Sequence, residues 1–253
     1  MKISIITVVF NGIETLKNCI DSVLGQKYDD IEYIIIDGAS TDGTVELVKS
    51  YGDKISKFVS EPDGGLYFAM NKGIALATGE LIGILNADDF YADNQVVTDV
   101  VAHLHHHPAD SVYADLLYVN KDEPTKVVRY WKSGVLKSRR QFVFGWMPPH
   151  PTFFVKKSVY ERCGMFDTQF TSAADYELML RFLYKEHISA TYLPRVTTLM
   201  RVGGKSNQNI KNRIHANNED KLAWQKNGLP LRFYTMWLKP ARKLPQFFKK
   251  YKE

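Results

Sequence analysis

The chain opens on an unbroken apolar run, Ile3 to Phe10, rich in β-branched residues, which predicts a strand buried on both faces. Leu16, Ile20, Val23 and Leu24 then recur at helical spacing, predicting a helix to about Leu24. A second apolar strand, Ile31 to Ile36, runs into Asp37-Gly38-Ala39-Ser40-Thr41-Asp42-Gly43-Thr44, and a helix follows to about Tyr51. A short strand from Lys57 to Ser60 leads to Glu61-Pro62-Asp63-Gly64-Gly65, then to a helix from Leu66 to Ala77 stopped at Thr78-Gly79. The next strand, Leu81 to Leu85, ends directly in Asn86-Ala87-Asp88-Asp89. Strands alternating with helices in this way imply parallel pairing with right-handed crossovers. Ligands of such sheets bind beyond the carboxyl ends of the strands. Asn11, Asp37, Asp63 and Asp88 each follow a strand or its immediate loop, so they are expected to converge on one edge.

Beyond Asp89 the pattern changes. A helix is expected from Gln95 to about His107, and strands at Ser111 to Val119 and Lys126 to Tyr130. A segment bearing glycine and proline ends in Trp146-Met147-Pro148-Pro149-His150-Pro151-Thr152. A strand from Thr152 to Val155, a short helix from Ser158 and a helix carrying Asp175 to Arg181 follow. Strands near Ala190 to Leu193 and Thr197 to Arg201 precede Val202-Gly203-Gly204-Lys205-Ser206, and a polar helix runs from about Asn209 to Lys226. Neither an internal repeat nor a low-complexity linker interrupts the chain before its tail.

A chain of 253 residues, 45% hydrophobic and 24% charged, builds a sizeable core and is not disordered. Cys19 and Cys163 are too few for a disulfide framework. The opening apolar run meets Asn11-Gly12 without a cleavage site, so no signal peptide is expected. No stretch approaches the roughly 18 apolar residues of a spanning helix, which places the chain in the cytoplasm or on a membrane face. Charge is uneven: from Leu229 to Glu253 seven basic residues stand against one acid, whereas the rest holds 26 basic and 27 acidic residues. This excludes a basic body for nucleic acid. It divides the chain into a body, 1–228, and a basic, aromatic C-terminal tail, 229–253. Within the tail, Phe233, Trp237, Ala241, Leu244, Phe248 and Tyr251 recur at three- and four-residue intervals with Lys or Arg between them, the pattern of short helices on an anionic membrane surface. Pro240 and Pro245 break that pattern into two or three pieces; the alternative is a tail packed on the body.

Asn86-Ala87-Asp88-Asp89 is the sharpest local signal. Acids just past a buried strand suit a hard divalent cation that also bridges substrate phosphates, and they equally suit an acidic turn before a helix. Asp37 can accept from a nucleobase N–H across a glycine-bearing loop, with Asp42 the structural acid that caps the next helix. Asp175, at a helix start, is either a cap or a catalytic acid–base group. His150, between prolines, reads as a binding residue for an acceptor. His105, His106 and His107 read as an exposed helix end. Arg201 suits a diphosphate.

Taken together, these motifs resemble the inverting family 2 glycosyltransferases of GT-A fold. The matching segments are Val8-Val9-Phe10-Asn11, Asp37-Gly-Ala-Ser-x-Asp-Gly-Thr, Glu61-Pro-Asp-Gly-Gly, Ala69-Met-Asn-Lys-Gly, Asn86-Ala-Asp-Asp, Gly164-x-Phe166-Asp167, Asp175-Tyr-Glu-Leu-x-Leu-Arg and Arg201-x-Gly-Gly-x-Ser, spread over about 200 residues in family order. The resemblance implies an α/β, Rossmann-like GT-A fold with a mainly parallel central sheet flanked by helices. It implies a donor site of Val8, Phe10, Asp37, Asp63, Asn86, Ala87 and Arg201, with Phe10 and Asp37 at the base. It further implies Mn²⁺ or Mg²⁺ on Asp88 with Asn86, and Asp175 as the base that deprotonates the acceptor hydroxyl. Asn86 departs from the family's acid and removes one charge; Ala174 stands where many relatives carry an acid. The expected reaction moves a sugar, most commonly from a UDP-sugar, to a glycan or lipid-linked glycan at the inner face of the cell membrane. A sugar nucleotidyltransferase is the alternative enzyme, but Asn11-Gly12-Ile13-Glu14 lacks the basic loop that grips a triphosphate. A binding module without turnover would leave Asp175 idle.

Overall fold

The computed structural model describes residues 1–203, 210–247 and 251. Its first half is built as the apolar runs dictate: β1 (Ile3–Val9), α1 (Ile13–Leu24), β2 (Ile31–Asp37), α2 (Thr44–Ser50), β3 (Lys57–Ser60), α3 (Leu66–Leu76) and β4 (Leu81–Ile84). The four strands pair in parallel in the order β3-β2-β1-β4. All seven residues of β1 are buried, because each face of the strand meets a helix. Ile3, Ile5 and Val9 pack with Leu16, Ile20 and Val23 of α1, while Ile6 and Val8 pack with Met70 and Ile74 of α3. This is the two-residue alternation of a strand read against two helical faces. Helix α3 lies close enough to β1 that a Cβ on Gly73 would come within 2.4 Å of Ile6.

The second half comprises β5 (Asp89–Tyr91), α4 (Val96–His106), β6 (Ser111–Val119), β7 (Val127–Trp131), β8 (Phe154–Lys156), α5 (Lys157–Cys163), α6 (Ala174–Met179), β9 (Ala190–Arg201), α7 (Ile210–Lys226) and α8 (Thr235–Ala241). The sheet continues β4-β8-β6-β9-β5, with β7 on β6. Here the pairing is mixed: β6 and β9 run parallel, whereas β4–β8, β6–β8, β5–β9 and β6–β7 are antiparallel. The sheet is thus parallel across β3-β2-β1-β4 and mixed beyond them. The two strands expected at 190–193 and 197–201 are one, β9, which carries Pro194 at a register irregularity opposite Ala114, where a missing N–H breaks no ladder bond. Helix α6 continues as a π-helical segment, Leu180–Lys185. Among the described residues, no helix is long and apolar enough to cross a membrane.

The described part of the tail is docked on the body rather than separate from it. Thr235 is buried and its hydroxyl donates to the Val143 carbonyl at 2.7 Å. Lys239 donates to both oxygens of Asp220 at 2.7 and 2.6 Å. The described tail forms two short pieces, α8, which contains Pro240 rather than ending before it, and a 3-10 turn at Leu244–Phe247, which contains Pro245. Phe248, Lys249, Lys250, Lys252 and Glu253 lie outside the described residues.

Candidate active site

The register places Val9 beside Asp37 and Asp37 beside Ser60, so three strand ends open on one edge. After β1 the chain turns sharply at Asn11, whose φ of 49° is left-handed. The turn is secured from the next loop: the Asn11 N–H donates to the Ser40 hydroxyl at 2.7 Å, and the Thr41 N–H donates to Asn11 Oδ1 at 2.9 Å. Asp42 is structural, accepting from the Ile13 N–H at 3.1 Å and the Thr44 hydroxyl at 2.6 Å. Asp37 is fully buried, and its carboxylate accepts from the Ser40 N–H at 3.0 Å, the Ser40 hydroxyl at 2.5 Å and the Ser60 hydroxyl at 2.6 Å. It holds the two loops together from beneath. The carboxylate that reaches the surface is Asp63, fixed by the Gly65 N–H at 2.7 Å. A Cβ on Gly38 would lie 3.2 Å from Asp63 Oδ2 and 3.4 Å from the Phe10 ring, so the bare backbone of Gly38 floors a seat between them. Phe10 is 58% exposed there, while the Val8 side chain is buried in the core and serves packing.

The loop after β4 carries Asn86, Ala87 and Asp88. Ala87 is buried over Gly12. Arg201, at the end of β9, reaches back to this loop: one guanidinium nitrogen donates to the Asp88 carbonyl at 2.7 Å and the other to Asn18 Oδ1 at 3.1 Å, with the group stacked on Phe90. Nothing in the sequence singled out Asn18. Arg201 is only 7% exposed, so it acts on the loop's backbone rather than opening outward; Gly204 and Ser206 of its motif lie outside the described residues. Asp89 is buried with both oxygens unpartnered, and burial, reinforced by the Asp88 charge, pushes its carboxyl far above the ordinary carboxylate range. Its side chain lies beneath the loop. Asn86 Oδ1 is also buried without a protein partner, two residues before Asp88. One carboxylate and one amide oxygen fit a Mn²⁺ or Mg²⁺ ion that takes its remaining ligands from phosphate and water. Among the described residues, no set of three or more His, Cys, Asp or Glu side chains forms an all-protein cage.

Asp175 enters from the first turn of α6. The helix is anchored by Arg181, which donates to Glu177 and to the carbonyls of Cys163, Gly164 and Met165. Asn71 of α3 pairs with both backbone groups of Phe166, at 2.8 and 2.9 Å. Several of the recognised motifs are thereby one piece of scaffolding behind Asp175. His150 Nδ1 lies 3.1 Å from Asp175 Oδ2, and its other nitrogen lies 3.5 Å from the Asn86 amide. The Tyr67 hydroxyl stands 3.5 Å from Asp175 Oδ1. Burial alone would raise the Asp175 pKa, but the His150 hydrogen bond and charge, with Lys239 behind, hold it below the usual carboxylate range. Tyr67 is pushed well above the ordinary phenol range by burial and the Asp175 charge, so it remains a proton donor. Asp175 is therefore an ionised, oriented carboxylate, more than a helix cap. His105, His106 and His107 lie exposed at the end of α4, away from this edge.

The chain is similar to known proteins over most of its length. The family model described as glycosyl transferase family 2 matches residues 4–164. The chain is 34% identical over 181 residues to the uncharacterized glycosyltransferase Rv1514c of Mycobacterium tuberculosis, covering 71% of this chain and 68% of that one. Among solved structures, residues 1–349 of Staphylococcus aureus TarS in complex with UDP-GlcNAc superpose with a TM-score of 0.70 at 17% identity, over 98% of this chain and 73% of that one. Against the longer S. aureus TarS structure the chain spans 44% of the length. The mannosyltransferase PcManGT of Pyrobaculum calidifontis, in complex with GDP-Man and Mn²⁺, gives 0.66 at 18% identity, over 96% of this chain and 74% of that one.

Proposed function

The chain belongs to glycosyl transferase family 2 and has the GT-A fold, and from this premise we propose that it moves a sugar from a UDP-sugar to a hydroxyl of a glycan or lipid-linked glycan, with inversion at the anomeric carbon. The observation that carries this reading is the imidazole of His150, with the diphosphate-side loop at Asn86 on one edge and the ionised Asp175 on the other. A leaving group on the loop side and an acceptor on the Asp175 side are the two requirements of attack from the opposite face.

In this mechanism Phe10 stacks on the base, Asp63 accepts from its N–H, and Asp37 keeps the seat in shape through Ser40 and Ser60. Asp88 and Asn86 would hold Mn²⁺ or Mg²⁺, whose charge would offset that of a diphosphate leaving group. Arg201 fixes the Asp88 backbone. Asp175 takes the proton of the acceptor hydroxyl as its oxygen bonds to the anomeric carbon, and the bond from that carbon to the diphosphate oxygen breaks. UDP leaves with the electron pair, and no covalent enzyme intermediate forms. The exposed Phe233, Trp237, Leu244 and Phe247 support a peripheral seat for the tail on an anionic membrane. Incubation with a panel of nucleotide sugars and Mn²⁺ tests the reading: UDP is released slowly from UDP-sugars by the wild type, and Asp175→Asn binds UDP but loses release by about two to four orders of magnitude. Retention of more than about a tenth of the rate would remove Asp175 from the base role.

A further inference from the structure

A cavity of about 330 Å³ lies between the body and the docked tail. Its body wall is formed by Trp131, Lys132 and Trp146, and its tail wall by Lys239, Arg242 and Lys243. Met147, which also lines it, is three residues before His150. Lys239 lies with its ammonium 3.4 Å from the Tyr176 ring centroid, and Tyr176 directly follows Asp175. Two lining residues are thus within electrostatic reach of the carboxylate assigned as base: Lys239 stabilises its charge, and Lys243 feels it.

Its charge is one-sided. Lys239 is matched by Asp220, but among the described residues no carboxylate pairs with Lys132, Arg242 or Lys243. Arg129, stacked on Tyr118 behind this wall, has a buried Nε without a partner. Burial of the Lys243 ammonium, reinforced by the charges of Lys239 and Arg129 and only partly offset by Asp220 and Asp175, drives its pKa down to about 8. Such a group of cations is stabilised by an anion.

The tail's orientation narrows the choice of anion. A segment packed only for stability turns its aromatic residues inward and its lysines outward. Here Phe233, Trp237, Leu244 and Phe247 are 85, 77, 62 and 55% exposed, while Lys239 is held inside. Leu244 and Phe247 flank the lining residues Lys243, Pro245 and Gln246, so a cationic cavity opens beside an apolar rim. A soluble sugar phosphate uses the first feature and leaves the second without purpose.

We propose that this cavity is the acceptor subsite, taking the phosphate or diphosphate headgroup of a lipid that carries the acceptor hydroxyl, with the lipid chain leaving over Leu244 and Phe247. The assignment rests on the transfer reading above and names its acceptor class.

The test uses the full chain and farnesyl diphosphate as probe, titrated calorimetrically in EDTA so that no cation at Asp88 can recruit it. Binding is expected to be at least about tenfold tighter than for inorganic pyrophosphate, since the apolar chain adds buried area. It should be unchanged in Asp88→Ala and weakened about tenfold or more in Lys243→Glu and Arg242→Glu, each of which removes a charge-assisted contact. Those two variants should bind UDP with Mn²⁺ as the wild type does, which reports that they are folded. Pyrophosphate binding as tightly as farnesyl diphosphate would overturn the lipid assignment. Absence of binding, or its loss in Asp88→Ala, would overturn the subsite. Failure of the wild type to bind UDP with Mn²⁺ would instead strike the transfer reading itself.

Discussion

Replacement of His150 by alanine removes the strongest influence holding Asp175 ionised and oriented. The contact is 3.1 Å long and joins a carboxylate to an imidazole nitrogen. A hydrogen bond to a charged group contributes about 1.5–3 kcal/mol, so the expected fall in kcat is about one to two orders of magnitude. That is smaller than the loss on removing the carboxylate itself, because Asp175 remains. The pH dependence has a definite sign. With His150 gone, burial dominates and the Asp175 pKa rises, so the acid limb of the rate profile moves to higher pH. His150→Asn, whose amide occupies the Nδ1 position but reaches less far toward Asn86, should recover part of the rate. The assay is UDP release, with Mn²⁺, from the UDP-sugar that the wild type turns over in the panel, with UDP affinity measured separately and expected to change little. An unchanged kcat, an acid limb moving to lower pH, or a loss confined to UDP affinity would refute the positioning role and return His150 to a binding residue.

Asp88→Ala should weaken UDP binding in Mn²⁺ as well as slow turnover, and EDTA should make the wild type resemble the variant; binding insensitive to both would remove the cation from this loop. Asp63→Ala should raise the donor KM about tenfold with kcat nearly unchanged, whereas Asp37→Ala should also lower the Tm, because its three hydrogen bonds join two loops. Glu32, bonded to Ser4, Thr78 and Lys57, overcomes its burial and is drawn down from 4.5 to about 2. A carboxyl with a depressed folded pKa contributes its full stability above the unfolded value, so this contribution, about 3 kcal/mol, is present above about pH 5 and fades as pH falls toward 2; Glu32→Gln should flatten the acid branch of the stability curve, and an unchanged branch would show that the carboxylate contributes little.

The first half of the fold was legible because its signals are local. β1, β2 and β4 are apolar runs of strand length ending in polar loops, and the alternation of strand and helix leaves few topologies. The convergence of Asn11, Asp37, Asp63 and the Asn86–Asp88 loop followed from that rule alone. Contacts between distant segments carry no such pattern. Arg201 holds a backbone carbonyl 113 residues away, and a carbonyl has no sequence signature, so its cation read as a diphosphate ligand. Asp37 and Asp63 were indistinguishable as loop acids until Ser40 and Ser60 were seen to occupy the first. Strand β5 was hidden because three residues beginning with an aspartate do not alternate. The tail's period of three and four residues was visible, but not that Lys239 would turn to Asp220, since a buried acid in a polar helix looks like any solvated one.

The account stands most directly on the stereochemistry of transfer. A donor such as UDP-GlcNAc carries its sugar in the α configuration, so attack on the anomeric carbon by water deprotonated at Asp175 should yield the β anomer. Proton NMR of the sugar released with Mn²⁺ from the α-linked UDP-sugar that the wild type turns over, read before mutarotation and compared with Asp175→Asn, makes the measurement. The β anomer appearing first, and its near-absence in the variant, is the predicted result; an initial α anomer, or release that does not depend on Asp175, would contradict the mechanism.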